Sequence, residues 1–288
     1  MADAGPLRGR RRTGRCVAAR QRVGRRTSAR GDHRELTGTI GERPAGHLYA
    51  GTSGFAYPGW SPAFYPAGTR ADGLLPFYAA RLDACELNNT YYQQPSEAKV
   101  AAWLGATPET FRFTVKAQRG GSYRAFAVDP GASVPWLTAP LTRFGDRLGS
   151  VLFRVPDPVR RDYARLAALL AAWPNELPLT VEFQDPSWHV DETFDALARA
   201  GATLCATELP DDDGPPALRL TGRFLYLRLR RLAYEPAEID AWAARLIPFL
   251  EAGSDAFVFF RHDEAGLAPA YASALRAAVD VRLAAADA

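Results

Sequence analysis

The chain has 288 residues, of which 47% are hydrophobic and 23% charged, the proportions of a globular protein rather than of a disordered or membrane-embedded one. Its three cysteines (Cys16, Cys85 and Cys205) include no CxxC pair, which excludes a disulfide scaffold and a cysteine-ligated structural zinc and makes a reducing cytoplasm the expected compartment. The net charge of +3 is unevenly spread: residues 1–46 hold 12 arginines against four acids (+8), and the other 242 residues carry 23 basic and 28 acidic side chains (−5).

Residues 1–46 come first. Arg8-Gly-Arg-Arg-Arg12 and Arg25-Arg26 stand among Gly, Ser, Thr and Ala with no apolar period, so this segment is predicted to be a disordered basic tail. It lacks the roughly 7–15-residue apolar core of a secretory signal. An arginine-rich arm can neutralise phosphates and hold nucleic acid without sequence preference. In a chain with 33 Arg and only two Lys, a nonessential extension is the simpler reading. The acidic balance of the remainder argues against nonspecific nucleic-acid binding. A small-molecule ligand is therefore the expected partner, with no membrane involved and the oligomeric state left open.

Residues 47–284 read as one domain. Eight β-rich runs are predicted at 47–52, 84–89, 111–117, 150–155, 179–183, 203–207, 224–230 and 256–261. Helical patterns lie between them at 72–81, 96–104, 134–144, 159–173, 191–200 and 236–251, with a last one at 267–279. Only 208–222 lacks one. Eight β units over about 240 residues match a (β/α)8 barrel, the α/β class of a TIM-type barrel. A doubly wound sheet is less favoured, because Gly51-Thr-Ser-Gly54 is too short for a dinucleotide-binding loop.

Polar residues interrupt strands that should be continuously apolar. Period two puts Glu86 and Asn88 on one face, Thr114 and Lys116 on another, and Tyr226, Arg228 and Arg230 on a third. Arg154 and Arg261 end strands four and eight. These groups fall toward the carboxyl ends, where barrel active sites are built. A structural role for any one of them is equally available, since a buried charge needs a partner and Glu86 can take Arg228 or Lys116. As a set, they point to a ligand site.

Three segments are more specific: Gly51-Thr-Ser-Gly-Phe-Ala-Tyr-Pro-Gly-Trp60, Glu86-Leu-Asn-Asn-Thr-Tyr-Tyr-Gln-Gln-Pro95 and Val181-Glu-Phe-Gln-Asp-Pro-Ser-Trp188. In this order the chain resembles the YecE-like proteins, domain-of-unknown-function family 72, over roughly residues 48–280. The resemblance implies a TIM-type barrel and assigns no reaction. Glu86, Asn88, Lys116, Glu182, Trp188 and Arg228 match the family pattern. Gln184-Asp185, Gln118 to Ser122, Arg230-Arg231 and Arg261-His262-Asp263 depart from it.

Glu86 and Glu182, on opposite strands, are the candidate general acid and base. Lys116 is either an electrophile or Schiff-base amine or, the favoured reading, a counter-ion of Glu86. Arg228, Arg230, Arg231 and Arg261 near the ends of strands seven and eight suit an anionic substrate, with Arg154 and Asn88 beside them. Tyr57, Trp60, Tyr92 and Trp188 are candidate stacking surfaces for a sugar or base. His262, Asp263, Glu86, Glu182 and His189 offer oxygen and nitrogen donors, but no HxH or HExxH spacing occurs, so neither metal nor cofactor is expected. The sequence favours a cofactor-independent enzyme on a small anionic or sugar-like metabolite. A noncatalytic ligand- or nucleic-acid-binding protein and a metal-dependent isomerase or endonuclease-like barrel are the alternatives.

Overall fold

The computed structural model describes residues 44–157, 159–210, 214–263 and 265–286. Of the predicted tail only 44–46 fall among these, so that expectation otherwise lies outside the described residues. Gly46 is tied to the barrel by its N–H, which donates to the Leu250 carbonyl at 2.8 Å.

Eight parallel strands close on themselves in sequence order: β1 (Leu48–Ser53), β2 (Ala84–Leu87), β3 (Arg112–Lys116), β4 (Leu148–Arg154), β5 (Leu179–Glu182), β6 (Thr203–Glu208), β7 (Phe224–Leu229) and β8 (Asp255–Phe260), with β8 pairing back to β1. The helices are α1 (Ala71–Ala79), α2 (Glu97–Gly105), α3 (Arg119–Ala127), α4 (Pro130–Thr138), α5 (Tyr163–Ala172), α6 (Asp191–Arg199), α7 (Pro236–Glu251) and α8 (Leu267–Ala286). This is the predicted TIM-type barrel. No helix occurs among the described residues between β6 and β7, as the sequence implies. No described helix is long and apolar enough to cross a membrane.

Local chemistry sets the boundaries. The Ser96 hydroxyl accepts from the Lys99 N–H to start α2, and the Asp162 carboxylate accepts from Arg165 to start α5. Asp129 does the same for Ala132, so α4 begins four residues before the predicted 134. It also ends earlier, because Pro140 disfavours helical continuation and the chain tightens into a 3-10 segment over Ala139–Arg147. Helix α8 runs past the predicted 279, where Arg282 grips both carboxylate oxygens of Asp240 on α7 at 2.7 Å.

The apolar residues divide between two regions. The larger packs the helices against the outside of the sheet. The smaller fills the barrel with Ala84, Leu152, Cys205, Tyr226, Phe257 and Phe259. Tyr49 stacks on Phe257 at 4.7 Å toward the amino-terminal end. Gly149 makes this possible, since a Cβ there would stand 2.6 Å from the Phe257 ring. Above this layer the interior turns polar.

Candidate functional site

The change of character occurs at one level around the ring. The register sets Ser53 beside Glu86, Arg154 beside Glu182, and Thr207 beside Arg228. Alternation along β2, β5 and β7 turns Glu86, Glu182 and Arg228 inward, where they are 0%, 2% and 2% exposed. Three ionisable groups out of water must satisfy one another.

They do so through Arg228. Its Nη2 donates to Glu86 Oε1 at 2.9 Å and its Nη1 to Glu182 Oε1 at 2.7 Å. The Ser53 hydroxyl donates to Glu86 Oε1 and the Tyr226 hydroxyl to Oε2, both at 2.8 Å. Thr207 donates to Glu182 Oε1 at 3.1 Å. Among the described residues Glu182 Oε2 and Arg228 Nε find no hydrogen-bond partner, and Arg154 Nε stands 3.8 Å from that oxygen.

Burial alone would raise the Glu182 pKa, but the Arg228 charge and hydrogen bond, with the charges of Lys116 and Arg154, bring it down to about 2. Glu182 is thus held as a carboxylate. Burial disfavours the Arg228 cation, and the Glu86 and Glu182 charges more than restore it. The two glutamates named as candidate acid and base are joint partners of one arginine.

Above this triad opens a pocket of about 470 Å3. Lys116, Arg154, Arg228, Arg230 and Arg261 line it, with Ser53, Asn88, Asn89, Tyr57, Tyr91, Tyr92 and His262. Arg154 Nη2 donates to Asp157 and to Gln184, each at 2.8 Å. Arg230 and Arg261 have no carboxylate within ion-pair distance among the described residues. The expected pairing of Lys116 with Glu86 is not made. Both Glu86 oxygens are occupied, and Lys116 Nζ lies 4.4 Å from the Tyr91 ring centroid. Burial, then the Arg228 charge, lowers the Lys116 pKa to about 8 against the opposing glutamates.

The structure therefore brings Glu86, Asn88, Lys116, Arg154, Glu182, Arg228, Arg261, Tyr57 and Tyr92 to one end of the barrel. Tyr57 stacks on His262 at 4.6 Å, and Tyr92 is 79% exposed. Trp60 and Trp188 are not brought there as stacking surfaces. Both are fully buried: the Trp60 indole donates to the Asp263 carbonyl at 2.7 Å and the Trp188 indole to the Val159 carbonyl at 2.9 Å. Arg231 turns to Glu238 at the start of α7. Ser53 and Tyr226 complete the Glu86 site. Period two already sets Tyr226 on one face with Arg228, whereas Ser53 reaches Glu86 through the strand register, which only the fold supplies.

The donors considered for a metal are dispersed. The Asp263 carboxylate accepts from the Ala265, Leu267 and Ala268 N–H groups and caps α8, and the two glutamates are taken by Arg228. No three His, Cys, Asp or Glu among the described residues converge.

Fold and site together define a TIM-type barrel protein with a cation-lined pocket at the carboxyl ends of its strands. Residues 49–287 match the family described as "Protein of unknown function DUF72", and the chain belongs to that family. It is 21% identical over 262 residues to the UPF0759 protein YunF of Bacillus subtilis (strain 168), covering 76% of this chain and 90% of that protein. A crystal structure of a DUF72 family protein from Thermotoga maritima superposes with a TM-score of 0.69 at 25% identity, covering 81% of this chain and 99% of the other. One from Enterococcus faecalis superposes with a TM-score of 0.67 at 19% identity, covering 81% and 95%.

Proposed function

We propose that this protein is a cofactor-independent enzyme whose substrate is a small metabolite bearing phosphate or carboxylate, bound in the pocket above the triad. One observation carries the reading: five cationic side chains surround one pocket, while the nearest buried carboxylates are already committed to Arg228. Arg230 and Arg261 occupy the place after strands seven and eight where barrels commonly hold phosphate. Asn88 and Asn89 offer amides to hydroxyl groups, and Tyr91 and Tyr92 offer ring faces. Lys116 is the group suited to carry a proton, because burial sets its pKa close to neutrality. The triad serves as the rigid floor that fixes Arg228. The buried free thiols of Cys85 and Cys205 support a cytoplasmic setting.

The test is turnover of phosphorylated sugars and of hydroxy and keto acids by the full chain, followed by NMR. The expected result is conversion of one class, abolished in Lys116→Met, with a raised KM in Arg261→Ala. Saturable anion binding with no conversion of any candidate would assign the pocket to a binding protein. Absence of binding in the whole panel would overturn the reading.

A further inference from the structure

A second pocket of about 540 Å3 adjoins the first, with Tyr91, Tyr92 and Arg154 in the walls of both. Its far side is the first turn of α3. There the Gln118 side chain accepts from the Gly121 N–H at 2.6 Å and its carbonyl from the Ser122 N–H at 2.8 Å. The N–H groups of Arg119 and Gly120 are left without an intrahelical acceptor, at the positive end of a nine-residue helix. A second observation points the same way. Ser122 stands in the wall of this pocket, 2% exposed, and its hydroxyl has no hydrogen-bond partner among the described residues. A buried hydroxyl without a partner costs stability unless something else satisfies it. Arg119 and Arg154 add positive charge to the lining, and the one carboxylate in it, Asp157, is held by Arg154.

The α3 geometry is built for this approach. Gly121 lets the helix lie against α4, since a Cβ there would come 2.5 Å from Leu137. Arg119 and Gly120 both line the pocket. Helix N-termini with free N–H groups are suited to phosphate.

We propose that the ligand carries two anionic groups, a phosphate seated at the α3 N-terminus and a second phosphate or carboxylate on Arg230 and Arg261, with its body across Tyr91 and Tyr92. The substrate class is then a bisphosphate or a phosphorylated acid. This rests on the anion-binding reading of the first pocket and extends it.

The test is calorimetric titration of the full chain with propylphosphonate and with alkane diphosphonates of increasing chain length. One length should bind about tenfold or more tighter than propylphosphonate, because the second group binds intramolecularly. Ser122→Ala and Arg119→Ala should remove that advantage. Ser122→Ala should do so with an unchanged or raised Tm, since it deletes an unpartnered hydroxyl without adding volume. A diphosphonate advantage that survives both substitutions, or none at any length, would overturn the second subsite. Propylphosphonate binding that still depends on Arg261 would then leave the first pocket standing. Loss of all phosphonate binding would sink both.

Discussion

Lys116 Nζ lies 4.4 Å from the centroid of the Tyr91 ring, and this contact with an aromatic face replaces the ion pair with Glu86 that the strand pattern suggested. A lysine held this way keeps its donors available to the pocket, and the aromatic contact offsets only part of the cost of burying its charge.

Lys116 should therefore titrate near pH 8. Selectively 13C-labelled lysine will give two side-chain signals, from Lys99 and Lys116, and the Lys116 signal should shift at the lower pH. Anion affinity should fall as pH rises through about 8, because the attracting charge is lost there. In Lys116→Met that dependence should flatten, and stability at pH 7 should rise by about 2 kcal/mol, since the folded state no longer holds a disfavoured cation.

Removing Arg228 should be among the most destabilising single changes in the barrel. Arg228→Met leaves two buried carboxylates unpaired, and denaturant unfolding should show a loss of about 3–5 kcal/mol. Arg228→Lys should recover little, because a single ammonium does not reproduce the two-pronged guanidinium contact.

Glu182 sets an acid limit. Its pKa is about 2 in the folded chain, below its ordinary value of 4.5, so its contribution is present above the ordinary value and is lost as pH falls from there toward about 2. Thermal unfolding across that range should be steeper with pH in the wild type than in Glu182→Gln. Equal slopes would remove the triad's electrostatic role.

Tyr226→Phe deletes one donor to Glu86 and should cost about 1–3 kcal/mol, because the oxygen it served stays buried. Arg261→Ala, at an exposed position, should change stability by no more than about 0.5 kcal/mol while lowering anion affinity about tenfold, more at low salt than at high.

Trp188→Ala should act on folding, with about 3–5 kcal/mol lost by denaturation, and the indoles of Trp60 and Trp188 should be shielded from acrylamide whether or not anion is bound.

Much of this was legible beforehand, for identifiable reasons. Period two on β7 places Tyr226 and Arg228 on one face, and the fold turns that face inward. The motif Glu86 to Pro95 carries Asn88, Asn89, Tyr91 and Tyr92 to the mouth through local chain geometry alone. What could not be read is partner choice. Arg228 faces two glutamates from strands far apart in sequence, and only closure of the ring decides that it takes both while Lys116 takes neither. The tryptophans follow a related rule: an aromatic in the short turn after a strand can face the pocket or pack inward, and the indole acceptors, the Asp263 and Val159 carbonyls, are remote in sequence. Helix α3 was missed because Arg119-Gly-Gly-Ser122 has no apolar period and two poor helix formers. Its cap by Gln118 and its seat against Leu137 stabilise it instead.

The Glu86–Arg228–Glu182 triad also limits how such a barrel can change over generations. Exchanging one member strands the charge of another in a place that water does not reach, so each single step passes through a damaged intermediate. An apolar substitute for the whole set needs three coordinated replacements, together with a new role for the hydroxyls of Ser53, Thr207 and Tyr226 that now serve the carboxylates. The loops above carry no such debt. Drift is therefore expected to rewrite the rim, and with it the choice of ligand, long before it touches the floor.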